Sequence, residues 1–375
     1  MVGIVFSITI VALTLASTQF GPRMLRNFIR DRGTQLTLGT FVATFLYTVM
    51  VLVSISPGPH GDFVPHVSIT TSLALTVGDL AVLIYFINHI ATTIQLPQVM
   101  AGIAGDLSRA IDKQGGDQRG TATQRESGPS SEELLARIDA TGADIHTAHS
   151  GYLQFIRHET LVRIAADADA VIHLPYRPGH FLVRGHVLAH VWPAEAAERV
   201  GEHLRRGHVT GPYRTLTQDV SFAVDQLVEI ALRALSPAVN DTFTALTCID
   251  WLSDGLCRIT TGWHPQQIRR DRRGRIRLIA YQPGYDRLVQ RAFEKIRETS
   301  GGMPAVMIRQ LDALTKIFEQ TTIPERRQVL LDQAAMIHRA NLATVAEKAD
   351  RDDVDRRYKA LLDLNGHSDA DEDSD

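Results

Sequence analysis

Leu36–Ile55, LTLGTFVATFLYTVMVLVSI, and Val67–Ile94, VSITTSLALTVGDLAVLIYFINHIATTI, contain no Lys, Arg or Glu and only one Asp, Asp79. A helix of about 20 apolar residues matches the roughly 30 Å hydrocarbon core of a bilayer, so both stretches read as membrane spans. The second is longer than that core requires, which predicts tilt or an extension of the helix into water. Between them lies PGPHGDFVPH, whose Pro57, Pro59 and Pro65 cannot continue a helix and therefore mark a turn.

Upstream, Val2–Ser17 (VGIVFSITIVALTLAS) is uncharged. About 16 helical residues rise only about 24 Å, so a third span needs Thr18 to Phe20 as well and covers about 2–20. A signal peptide is the rival reading, but no basic region precedes the apolar run. Gly3 with Ser7 and Ala12 with Ala16 are small-residue pairs that permit close helix packing, with a pore lining as the alternative. The loop GPRMLRNFIRDRG sets Arg23, Arg26, Arg30 and Arg32 against the single acid Asp31. Positive loops stay inside, so this loop is expected on the cytoplasmic face of the inner membrane, and the third span returns the chain to that face. Asp79, near mid-span, must be paired or hydrated. An ion or proton site and a structural hydrogen bond to Thr or Ser neighbours both satisfy that demand.

With 375 residues, 44% hydrophobic and 22% charged, the whole chain averages to an ordinary soluble protein, but its two ends have opposite compositions. The C-terminal part, crowded with Arg, Asp and Glu, implies water. A net charge of -3 gives no polyelectrolyte signature, and no nucleic-acid partner is expected. Cys248 and Cys257 lie more than two turns apart on one expected helix, too far for a disulfide.

The expected fold is a helical membrane block over 1–95 followed by a soluble α+β region. An amphipathic helix and a disordered linker fill 96–142, the linker being KQGGDQRGTATQRESGPSS, which has no large apolar residue. A small β-module covers 143–193, with short runs GYLQFI, AVIHLPY, HFLVRG and HVLAHVWP around the helix HETLVRIAADA. RPGHFLVRGHVLAHVWP resembles the hairpin of a biotinyl- or lipoyl-like barrel-sandwich domain. No Lys occurs between Lys113 and Lys295, which excludes a swinging-arm carrier and leaves a structural module. His173, His180, His186 and His190 crowd this module without accompanying Cys or acids at ligand spacing, so no metal and no cofactor are expected.

The remainder, 194–364, reads as mainly helical, with an acidic disordered tail over 365–375. Asp225, Glu229 and Arg233 recur at i, i+4 and i+8, the spacing of an ion ladder on one helix. In RALSPAVNDTFTA, Pro237 stops one helix and Asn240 or Asp241 caps the next. Ordinary capping explains these residues; alternatively, Arg214, Arg233, Asn240 and Asp241 form a polar pocket for an anionic ligand at that helix N-terminus. Arg269, Arg270, Arg272, Arg273, Arg275 and Arg277 read as a basic hairpin near 269–281, turning at Gly274, either solvated or touching anionic lipid.

Taken together, GIVFSITIVALTLASTQFGPRMLRNFIRDRGTQLTLGTF, LIYFINHIATTIQ, RPGHFLVRGHVLAHVWP and QDVSFAVDQLVEIALRALSPAVNDTFTA resemble, in order and over nearly the whole chain, the bacterial predicted membrane proteins grouped as domain of unknown function 2254. The resemblance implies a multi-pass membrane protein and carries over no catalytic residues. Members of that family typically begin with an additional membrane hairpin, which implies that an N-terminal segment is missing here.

Two functional classes follow. In one, the spans form a homo-oligomer around an ion path lined by SITIVALTLAST and Asp79, with the soluble domain as gate. In the other, the spans only anchor a cytoplasmic domain that senses a ligand or binds a protein. No nucleophile–base pair, P-loop, Gly-rich fingerprint or metal motif is present, so no enzyme activity is expected.

Overall fold

The structure is a computed structural model that describes residues 32–55, 64–93, 95–116, 128–263 and 265–372, together with helical positions Gly3, Ser7, Ile10, Val11 and Thr14. Apart from those positions, the expected span over 2–20 lies outside the described residues, as do Arg23, Arg26 and Arg30. The chain divides into two compact units, Met1–Ala101 and Gly102–Asp375.

In the first unit, α1 (Arg32–Ser54) and α2 (His66–Thr93) pack against each other, and both are long and apolar enough to cross a membrane. Their packing reverses that of a water-soluble pair. Buried along α1 are Thr34, Thr37, Phe41, Thr44 and Val51, the i, i+3, i+4 seam of a helix pair. An apolar cluster within the hairpin joins Phe41 to Phe86 and Ile90. Met50, Val53, Val67, Leu73, Val77 and Ile84 point outward, Val67 being 81% exposed. Apolar flanks around a partly polar seam suit lipid, where burying methyl groups gives no drive to associate and small or polar residues join the helices.

The chain continues as α3 (Leu96–Gly116), which buries Ile103, Ala104, Leu107, Ala110 and Ile111 on one stripe. The expected linker ends early. Ser130 opens α4 (Ser131–Thr141) with a full capping box, its hydroxyl accepting from Glu133 N while the Glu133 carboxylate accepts from Ser130 N. Leu134 and Ile138 then bury one face of α4 against Val171, Ile276 and Ile279.

Among the described residues, eight strands follow. They are β1 (Ala143–His146), β2 (Gly151–Ile156), β3 (Val171–Leu174), β4 (Phe181–Leu182), β5 (Val187–Trp192), β6 (His208–Gly211), β7 (Ile268–Arg270) and β8 (Ile276–Ala280). One sheet has the order β1-β5-β3-β8-β7, all antiparallel except the parallel pair β3–β8; the second is antiparallel with the order β4-β2-β6. This corrects the expected barrel-sandwich hairpin. Gly185, at φ +82, does turn the chain, with His186 N donating to Val183 O, but β4 leaves to pair with β2 while β5 pairs with β1 and β3. The β-module also does not close at residue 193, because its sheet is completed by β7 and β8.

Helices α5 (His158–Asp167) and α6 (Ala197–Gly207) supply Leu161, Ala165, Val200 and Leu204 to a core with Ile172, Leu174, Leu188, Val191 and Leu278. The β7–β8 hairpin is a member of the sheet and not a free basic tip. Arg277 is only 3% exposed: its Nε donates to Asp271 Oδ2 at 2.8 Å, Nη2 to Asp169 Oδ1 at 2.7 Å and Nη1 to Ala170 O at 3.1 Å. Arg275 pairs with Asp169 at 3.1 Å, which leaves Arg272 and Arg273 exposed at the turn.

The rest is helical: α7 (Val220–Ala234), α8 (Thr242–Gly262), α9 (Tyr285–Thr299), α10 (Pro304–Phe318), α11 (Pro324–Thr344) and α12 (Lys348–Glu372). Helix α7 is the hub, buried on nearly every side between α8 and α9. Cys248 and Cys257 lie on α8 and form no disulfide, and burial pushes the Cys248 thiol up to about 12. Helix α12 continues to Glu372 through the stretch whose composition predicts disorder, since extending a formed helix lacks the penalty of nucleation.

Candidate functional site

Three places hold the residues that the sequence singles out. The first is Asp79, 4% exposed on α2. Thr44 Oγ1 donates to its Oδ1 at 3.3 Å from α1, and one turn further along the seam Thr48 and Ser72 hydroxyls meet at 3.0 Å. Thr48 also donates to Thr44 O at 2.8 Å, so this polar row is tied together within one hairpin.

The second place is built around Arg214, in the loop between β6 and α7. Asp219 is the N-cap of α7, its carboxylate accepting from Phe222 N at 3.2 Å. That carboxylate is wholly buried and takes Arg214 Nε at 2.8 Å and Nη2 at 2.7 Å on Oδ2, with Arg177 Nη1 3.4 Å from Oδ1. Arg214 Nη1 reaches on to Asp225 Oδ2 at 2.6 Å, and Arg291 from α9 holds both oxygens of Asp225 at 2.6 and 2.8 Å. The Arg214 guanidinium lies 4.7 Å over the Phe222 ring. Asp225 is thus held by residues of other elements, so the row Asp225–Glu229–Arg233 is not a purely intrahelical ladder.

Electrostatics follow from burial. Removal from water pushes the Asp219 carboxyl up from the usual carboxylate range, against the pull of Arg214 and Arg177. Nearby His180, stacked on Tyr281, is pushed down to about 4 by burial and then by Arg177, Arg214 and Arg291, and is therefore neutral at pH 7. Gly179, at φ +97, lets the chain pass the cluster, where a Cβ would stand 2.0 Å from Asp219 Oδ2. Arg177, Asp219 and Arg291 escaped the sequence reading. Only Asp219 left a signal there, as a capping residue directly before the apolar run VSFAVDQLVEIAL.

The third place is the corner between α7 and α8. Asn240 adopts φ +51, and Asp241 caps α8 by accepting from Thr244 N at 3.1 Å and Thr244 Oγ1 at 2.5 Å. The hydrogen bonds from Thr244 hold the Asp241 carboxyl below its usual range. A carboxylate of the chain itself therefore occupies the position an anion would take. Arg233 lies in the last turn of α7, whereas Arg214 binds the cap of its first, about 20 Å of helix away. The expected anion pocket of Arg214, Arg233, Asn240 and Asp241 is not assembled, because the two arginines serve opposite ends of one helix.

The four histidines of the β-module disperse too. His173 and His190 stack at 5.5 Å across β3 and β5, with His190 Nδ1 2.7 Å from Asp144 Oδ1, while His180 joins the arginine cluster. Among the described residues, no group of three His, Cys, Asp or Glu side chains converges to hold a metal.

A helical hairpin with lipid-suited flanks, followed by an α+β domain, defines a membrane protein with a large domain outside its two candidate spans. The chain belongs to the predicted membrane protein family DUF2254, whose profile matches residues 1–316. An uncharacterized protein of Mycobacterium bovis and one of Mycobacterium tuberculosis are each 32% identical to it over 359 residues, 93% of this chain and 67% of the relative. No solved structure matches it.

Proposed function

We infer that this protein is a membrane-anchored, non-transporting and non-catalytic module whose α+β domain senses a ligand at the cytoplasmic face of the inner membrane. The observation that carries this reading is the bond from Thr44 to Asp79. The intramembrane carboxylate is engaged within its own hairpin, in a seam that continues through Thr48 and Ser72. A transport site instead keeps a carboxylate open to a water-filled path. Arg23, Arg26 and Arg30, which precede α1 in sequence, and Arg32 at its first position support the cytoplasmic placement, and the apolar run over 2–20 supports a further span ahead of them.

The test is ion flux from liposomes reconstituted with the full chain. Liposomes that hold their gradient, for the parent and for Asp79→Asn alike, fit an anchor. A gradient that the parent dissipates and Asp79→Asn preserves would overturn the reading in favour of an ion path.

A further inference from the structure

A cavity of about 120 Å³ opens in the α+β domain beside the β1–β2 connection. Leu188, Leu204 and Ile145 give it apolar walls, and His146, His149 and His208 bring polar edges. Among the described residues its lining contains no Asp, Glu, Lys or Arg to give an anion or a cation a permanent countercharge. An apolar cavity of about 150 Å³ accommodates a benzene-sized molecule, which sets the scale of an occupant.

Two features mark the cavity as more than a packing flaw. His208 Nδ1 lies 2.9 Å from Leu204 O. A carbonyl oxygen only accepts, so Nδ1 carries the proton and the ring offers Nε2 as a lone pair. Burial lowers the His208 pKa and keeps the ring neutral. The other feature is Gly201, a lining residue in the middle of α6. Glycine there costs helix stability of about 1 kcal/mol relative to alanine. Neither backbone strain nor crowding requires it, since its φ is not left-handed and the atoms nearest a Cβ belong to Ile145 at 3.7–3.9 Å. What the missing side chain leaves is room.

We propose that this cavity binds a small uncharged molecule of about six to eight heavy atoms, with an apolar body and one O–H or N–H that donates to His208 Nε2. The site deepens the reading of this domain as the sensing part of the protein and supplies the chemical class of the ligand. Gly201 sets the space, and the leucines with Ile145 supply the apolar surface beside the contact to His208.

Phenol serves as the probe and toluene, of equal heavy-atom count, as its match without a donor. The full chain in detergent micelles, carrying 15N-labelled histidine, is titrated with each. Phenol is expected to shift the His208 Nε2 resonance saturably, with toluene at least about tenfold weaker. Gly201→Leu, which fills the cavity, should abolish the phenol shift, and Gly201→Ala, which favours the helix, should weaken it. A phenol shift that never saturates, matches toluene, or persists in folded Gly201→Leu overturns the proposal, because it then reports partition into micelles. Failure here is distinct from failure of the anchor reading. A silent His208 with liposomes that hold their gradient removes only the site, whereas flux together with saturable phenol binding removes only the anchor.

Discussion

Replacing Asp219 by Asn removes one negative charge and almost nothing else. Asn caps a helix about as well as Asp, so the bond from Phe222 N survives. What changes is the balance of the cluster: Arg177 loses its carboxylate, and Arg214 and Arg291 are left with Asp225. Removing one partner of a buried pair costs about 3–5 kcal/mol, since the other charge stays out of water uncompensated. Arg214 retains Asp225 and its side chain is 19% exposed, which places the expected loss at the lower end, about 3 kcal/mol. For a domain of this size that lowers the melting temperature by about 6–10 °C. Trp192, Trp251 and Trp263 are the only tryptophans, and all three lie in the second unit, so a fluorescence melt of the detergent-solubilised protein reports that unit and not the hairpin. Adding Arg214→Met to Asp219→Asn withdraws the surplus cation and should recover part of the loss. Asp219→Asn melting within about 2 °C of the parent, under 1 kcal/mol, would refute the electrostatic account of the cluster.

Other expectations follow from the same geometry. Gly179→Ala forces a Cβ against Asp219 Oδ2 in left-handed backbone and should destabilise by about 3 kcal/mol or more, read in the same melt. His180 is depressed to about 4, so the unfolded chain takes up its proton first as the pH falls. Its contribution is full above about 6.5 and is lost between there and about 4, close to 1 kcal/mol by pH 5 after discounting for solvent screening. His180→Gln should flatten that part of the stability–pH curve, and an unchanged slope would show that other groups carry it. Thr44→Val deprives Asp79 of its donor and should cost the hairpin about 1 kcal/mol in a denaturing-detergent titration, with no cost if the bond contributes nothing.

The helical hairpin was legible because length and apolarity are local properties, and both candidate spans fall where LTLGTFVATFLYTVMVLVSI and VSITTSLALTVGDLAVLIYFINHIATTI place them. Most helices of the second unit were legible through their apolar periodicity. Helix α4 reads as linker although Ser130 and Glu133 spell a capping box, because only Leu134, Leu135 and Ile138 follow in a polar setting. The sheet was misread for a different reason. A strand's own pattern says which face is buried but not which distant strand it pairs with, so nothing near Val171 points to Ile276, and the turn at Gly185 suggested a hairpin that the partners of β4 and β5 do not form. Arg214 is a candidate in the sequence, but it binds the N-cap of α7 and not the corner that follows the helix. The cluster around it draws Arg177 from the β3–β4 connection, Asp219 and Asp225 from α7 and Arg291 from α9, and such convergence has no period in sequence.

The bond from Arg277 to Ala170 joins residues 107 positions apart. At about 5–20 residues per second, a ribosome takes roughly 5–20 s to deliver the second partner after the first. Throughout that interval β3 is an open edge, with Ile172 and Leu174 lacking β8 and Asp169 lacking its guanidinium. The growing chain is then most open to mispairing, and a product cut between residues 193 and 276 is fixed in that state. Boundaries chosen for expression should therefore keep β3 and β8 on one polypeptide.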